Sequence, residues 1–154
     1  MSVLGSAILL WMAATTDGPS ASGPVVFVCA HGNVKSLIAS EWLNRLAAER
    51  GMSVRAIARG LTPENPVPPP IVERLRQDGF DVAGYQARSL APEDVRGAAR
   101  VVFIGVEPPP WTSEAAVESW TAIPPASEAY AESRDAMRAR IETLLRQLEA
   151  RPAP

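Results

Sequence analysis

The sequence predicts an α/β fold of three layers, a short four-stranded parallel sheet with helices on both faces. Three observations predict it. Short apolar, β-branched runs alternate with segments of helical periodicity, as in βαβ units. The runs "PVVFV" (Pro24–Val28) and "RVVFIG" (Arg100–Gly105) are continuous rather than alternating, as in strands buried on both faces. Ten of the fifteen prolines cluster at 63–70, 108–110 and 124–125, and read as rigid loops between elements.

Pro24–Val28 is the first strand. From Ser36 the pattern is helical: Ile38, Trp42 and Leu46 fall at i, i+4 and i+8, and Gly51 supplies a stop. "SVRAIARG" (Ser53–Gly60) reads as the second strand. Beyond the proline-rich loop, Ile71, Val72 and Leu75 share one face of a helix whose first turn accepts prolines, and Gly79 ends it. "APEDVRGAA" is a short helix, Arg100–Gly105 the third strand, and "SWTAI" (Ser119–Ile123) a short fourth. Met137, Ile141, Leu144, Leu145 and Leu148 give the last helix an apolar stripe. Ligands in such sheets bind beyond the carboxyl ends of the strands. The loop after Val28 is one such place.

The 154 residues suffice for one domain, and 47% hydrophobic with 21% charged residues is ordinary globular composition. A net charge of −2 offers no basic footprint, so no nucleic-acid partner is expected. Cys29 is the one cysteine and His31 the one histidine, which excludes an internal disulfide and makes a metal site improbable. No metal or cofactor is expected. The working domain is placed at 24–150, with a short tail at 151–154.

Residues 1–23 stand apart. "VLGSAILLWMAA" is too short for a stable membrane span, and the small polar residues after it complete a pattern resembling a secretory leader. The segment before it carries no Lys or Arg. Two readings stay open: a leader, which makes the protein periplasmic or secreted, or an N-terminal extension of a cytoplasmic protein.

Cys29 closes the first strand, and Ala30–Val34 leads into a helix N-terminus. Successive backbone N–H groups there can form an anion nest, aided by the helix dipole. Gly32 and Asn33 tolerate the positive φ that a tight nest requires. The same field favours thiolate over thiol at Cys29. Ser36 is placed to donate to that thiolate, and Lys35 brings a cation to the rim. A nucleophile, a nest and a cation in one loop are the parts of an oxyanion-handling site. A lone cysteine after an apolar strand is more often structural, and the Gly-Asn and Lys-Ser pairs before a helix turn the reading toward anion binding. His31 in such a loop more often stabilises it, or is exposed, than acts as acid or base. Lys35 has the alternative reading of a solvated first-turn residue.

"VVFVCAHGNVKSLIA" resembles the phosphate-binding loop of the low-molecular-weight protein tyrosine phosphatases and the related thioredoxin-type arsenate reductases. "AIARGL" (56–61), the stretch 79–105 and the stretch 120–148, the acid-loop and last-helix region, resemble successive parts of the same family, so the resemblance covers about 24–149. It implies the phosphotyrosine protein phosphatase I-like fold. It implies that Cys29 is the nucleophile, that Asn33 holds a left-handed kink, and that Ser36 stabilises the thiolate. Ala30, His31, Gly32, Asn33, Val34 and Lys35 then surround the oxyanion. There are two departures. Lys35 stands where the family has arginine, and loss of the two-pronged grip costs on the order of 1–3 kcal/mol of transition-state binding. Pro124-Pro125 stands where the family has its Asp-Pro general acid. Glu128 is a weak candidate for that acid and Glu107 a more distant one, and a solvated carboxylate is the favoured reading of both.

Three functions remain open. One is a weak or atypical phosphatase acting on protein phosphotyrosine or a small phosphoester through Cys29, Lys35 and Ser36. Another is a non-catalytic fold that binds phosphate, another tetrahedral oxyanion or a partner. The third is an arsenate reductase that depends on an external thiol, since the chain has no second cysteine.

Overall fold

The computed structural model describes residues 22–112 and 115–151. Most of the leader-like segment and the last three residues of the tail lie outside them. Four strands, β1 (Val25–Cys29), β2 (Ala56–Gly60), β3 (Arg100–Ile104) and β4 (Val117–Trp120), form one parallel sheet in the order β2-β1-β3-β4. Helices α1 (Lys35–Glu49), α2 (Pro69–Gln77), α3 (Pro92–Arg96) and α4 (Tyr130–Glu149) connect and follow them.

The continuous apolar runs are the two central strands. All of Val25–Cys29 is buried, because β1 has neighbours on both edges and helices on both faces. The outer strand β2 alternates between buried and half-buried residues, as one open edge allows. Period 2 divides the core. Val25 and Phe27 join α1, α2 and α4 in the larger cluster, while Val26 and Val28 pack with Val95, Val101 and Phe103 in the smaller. The α4 stripe points inward: Met137, Ile141, Leu144 and Leu145 are buried and Leu148 is half-buried. α1 buries Ile38, Trp42 and Leu46 on the same side of the sheet. Pro68 caps α2 with an extended backbone, and Pro69 and Pro70 fill its first turn, where a missing N–H costs nothing.

Two element boundaries differ from the sequence reading. β2 begins at Ala56 rather than Ser53, and β4 spans Val117–Trp120 rather than Ser119–Ile123. The register Ile104↔Trp120 ends the β4 pairing, and the chain then turns at Ala122, whose φ of 58° no strand residue adopts.

The chain leaves β1 in one direction toward β2 and reaches β3 on the other side. The carboxyl ends of β1 and β3 therefore open a crevice where strand order reverses. Cys29 and Gly105 stand on its two sides.

Candidate active site

A pocket of about 230 Å³ occupies that crevice. One wall is the loop from Cys29 through Lys35, the second is Ile104, Gly105 and Val106 after β3, and the third is Pro125, Ala126 and Ser127 before α4.

The loop's carbonyls explain its shape. The Cys29 carbonyl accepts from the Leu61 amide at 3.1 Å, Ala30 from Thr62 at 2.8 Å and His31 from Glu64 at 3.1 Å. The Tyr85 hydroxyl donates to the Gly32 carbonyl. In a trans peptide C=O and N–H point oppositely. With four successive carbonyls tied outward, the N–H groups of Ala30, His31, Gly32 and Asn33 turn toward the pocket. The Gly32 amide reaches Cys29 Sγ at 3.3 Å. The amides of His31, Asn33 and Val34 donate to no backbone carbonyl among the described residues. Such an arrangement can serve as an anion nest, to which the N-terminus of the 15-residue α1 would add its dipole.

Two glycines let the loop close. Gly32 has φ +69°, and a side chain there would meet the Gly60 amide nitrogen at 2.8 Å. A side chain at Gly60 would meet Gly32 N and His31 C, each at 2.7 Å. Those obstacles are backbone atoms, which cannot swing aside. The left-handed residue of the loop is thus Gly32. Asn33, expected to hold that kink itself, does not have positive φ. Its buried amide instead donates to the Pro66 carbonyl at 3.4 Å, pinning the loop to the segment before α2. Glycine reaches the left-handed region without the steric cost Asn would carry.

Cys29 is 6% exposed and its Sγ lies 3.1 Å from Ser36 Oγ, itself fully buried in the first turn of α1. The Ser36 hydroxyl and the Gly32 amide converge on one sulfur. Lys35 lines the same pocket, with Nζ 3.3 Å from where a Cβ on Gly105 would stand. His31 turns outward: Nδ1 lies 3.2 Å from the Thr62 carbonyl and 3.4 Å from Glu64 Oε1, in an exposed position. It staples the loop to the 62–64 segment.

No carboxylate lines the pocket among the described residues. The Glu128 amide donates to the Pro125 carbonyl, and that turn places Glu128 in an adjoining pocket with Arg74 and Tyr130. Glu107 is exposed beyond Val106 and does not line the pocket. Pro124 is also outside it, and the lip is formed one to three residues later. Among the described residues no three His, Cys, Asp or Glu side chains are grouped to hold a metal ion, and no helix is long and apolar enough to cross a membrane.

A family model for low molecular weight phosphotyrosine protein phosphatase matches residues 24–106, more than half of the chain. The chain belongs to this phosphatase family. No curated protein matches it. Among solved structures, a low molecular weight protein tyrosine phosphatase from T. tengcongensis is 20% identical. It covers 82% of this chain and 99% of its own, with a TM-score of 0.69. The thioredoxin-dependent arsenate reductase of Corynebacterium glutamicum is 21% identical over 88% of this chain, with a TM-score of 0.66, and this chain spans 64% of that reductase's length. An arsenate reductase from Archaeoglobus fulgidus is also 21% identical, over 78% of this chain and 97% of its own, with a TM-score of 0.61. At these identities the likeness is one of fold. The family model spans all three layers of the nest: the Cys29 loop, the Leu61–Glu64 scaffold and Tyr85.

Thr62, Glu64, Tyr85 and Ser127 were not singled out by the sequence. Thr62, Glu64 and Tyr85 meet the loop by long-range contacts, Ser127 lines the pocket from a distant segment, and "LTPEN" reads locally only as a polar, proline-bearing loop. The small-residue turn at Gly60 is the one local sign that another backbone passes close by.

Proposed function

We propose that this member of the family is a cysteine-dependent phosphatase of weak or atypical activity, acting on a phosphorylated protein or small phosphoester with a good leaving group. One observation carries the reading: four carbonyls tied outward turn four amides toward a pocket that holds the Cys29 sulfur. In the first step the Cys29 thiolate attacks phosphorus, the P–S bond forms and the P–O bond to the alcohol breaks. The amides and Lys35 balance the phosphoryl oxygens. The departing oxygen takes its proton from water. Water then cleaves the P–S bond, releasing phosphate and restoring the thiolate. We place the working domain at 24–150. The same pocket suits other tetrahedral oxyanions, and the reaction as written needs no metal or cofactor.

Two observations favour a second reading, a non-catalytic binder of an oxyanion or a partner. Among the described residues no carboxylate lines the pocket, and Lys35 lacks the paired donors of a guanidinium. An arsenate reductase is the third reading. Arsenate has the shape of phosphate, and with one cysteine the arsenate adduct would pass to an external thiol.

Pre-steady-state kinetics with nitrophenyl phosphate tests the proposal. With no carboxylate among the described lining residues to activate water, the phosphocysteine should accumulate. The expected result is a burst of nitrophenolate approaching one equivalent of enzyme, followed by slow turnover and abolished in Cys29→Ser. Phosphate binding without a burst or turnover would establish the binder instead.

A further inference from the structure

Three of the four outward ties on the loop are made by backbone amides, of Leu61, Thr62 and Glu64. Pro63 has no N–H, and Asn65 is occupied elsewhere: its side chain pairs with the Ala87 backbone, accepting at 2.9 Å and donating at 3.4 Å. The scaffold loop therefore stops at His31. The next carbonyl, Gly32, is reached by a side chain from another segment, the Tyr85 hydroxyl. An isolated parallel bridge between Gly60 and Ser89 lays that segment beside the loop, with Gly60 donating to the Arg88 carbonyl and Leu90 to that of Gly60.

Resting on the phosphatase reading of the pocket, we infer that Tyr85 is a positioning residue for the reaction: by holding the Gly32 carbonyl outward it fixes the Gly32–Asn33 peptide plane and aims the Asn33 amide at the bound oxyanion. The peptide is trans, so the Asn33 N–H points away from Tyr85, and Asn33 lines the pocket. A hydrogen bond accepted by the carbonyl also strengthens the N–H donor of the same peptide. Tyr85 is half-buried, and burial, with the charge of Cys29 second, pushes its phenol up to about 12 against a smaller opposing effect of Arg59. It therefore keeps its proton, and its role as donor, through neutral pH.

The inference separates two amides that a general loosening of the loop would move together. The Gly32 amide, which touches Cys29 Sγ, belongs to the His31–Gly32 peptide, and the Glu64 backbone holds that plane. Tyr85 holds only the next plane. Removing its hydroxyl should therefore weaken oxyanion binding and leave the thiolate alone.

The test is alkylation of Cys29 by iodoacetamide across pH, at graded inorganic phosphate, in the parent and Tyr85→Phe, with thermal unfolding of both as a check on folding. Phenylalanine keeps the ring and its packing. The expected result is that the phosphate concentration giving half-protection rises about five- to tenfold in Tyr85→Phe, the effect of one lost hydrogen bond to a charged group. The pH dependence of alkylation without phosphate should stay as in the parent. Unchanged protection in a folded Tyr85→Phe would overturn the inference. So would a phosphate-free pH profile displaced as far as the protection curve, because that is a general loosening of the loop. A parent that phosphate does not protect would overturn the oxyanion reading itself, and the assignment of Tyr85 with it.

Discussion

Nitrophenyl phosphate is expected to turn over measurably and alkyl phosphates hardly at all, with rates falling steeply as the leaving-group pKa rises. Loss of a general acid costs roughly 10²–10⁴-fold, and among the described residues no carboxylate lines the pocket to supply one. The penalty falls mainly on leaving groups that need protonation, so it sets the slope of a series of aryl phosphates. The rate should also lack the falling basic limb that a carboxylic-acid donor imposes. Glu128→Gln should change neither slope nor pH profile, because Glu128 sits in the adjoining pocket. A carboxylate belongs at Ser127, which lines the Cys29 pocket, rather than at Pro124, which does not. Ser127→Asp should raise turnover of poor leaving groups about tenfold or more, and of good ones much less. A shallow slope in the parent that steepens in Glu128→Gln would show that the loop moves and that Glu128 is the acid.

Lys35→Arg is expected to tighten phosphate or vanadate binding and raise aryl phosphatase activity, on the order of tenfold or more. A guanidinium grips two phosphoryl oxygens with parallel N–H bonds where an ammonium acts as a point charge. The lysine Nζ already lies over Gly105, where a missing side chain leaves room for the larger head group. Paired inhibition constants and kcat/KM values for the two proteins check it. A fall in both quantities would mean that the loop is built for lysine and that the protein is not a phosphatase weakened by a substitution.

The sheet was legible because its central strands must be apolar on both faces. "VVFV" and "RVVFI" are short, β-branched and bounded by turn residues, as a strand buried on both faces requires, and the α4 stripe joins α1 and the sheet in one core. The reactive loop was legible in part. Cys29, Ser36 and the helix start are local in sequence, and the geometry brings the two side chains within 3.1 Å. What holds the loop was not legible. Tyr85 and Gly32 are 53 positions apart, and nothing in "GYQAR" marks a phenol that closes on a distant carbonyl. Asn33 misled for a related reason. Both Gly32 and Asn33 accept positive φ, and only the crossing of Gly60 decides that the glycine takes it. Glu128 is close to the lip in sequence, yet one turn at Pro125 sends it to the wrong pocket.

The central claim is that Cys29 takes a phosphoryl group inside the nest. Acid-quenching the protein within the first turnover of nitrophenyl phosphate, followed by proteolysis and mass spectrometry, tests it directly. The account predicts one added phosphoryl group on the peptide that contains Cys29, lost when the substrate is exhausted before the quench and absent from Cys29→Ser. A phosphoryl group found on another residue, or turnover that survives in Cys29→Ser, would contradict it.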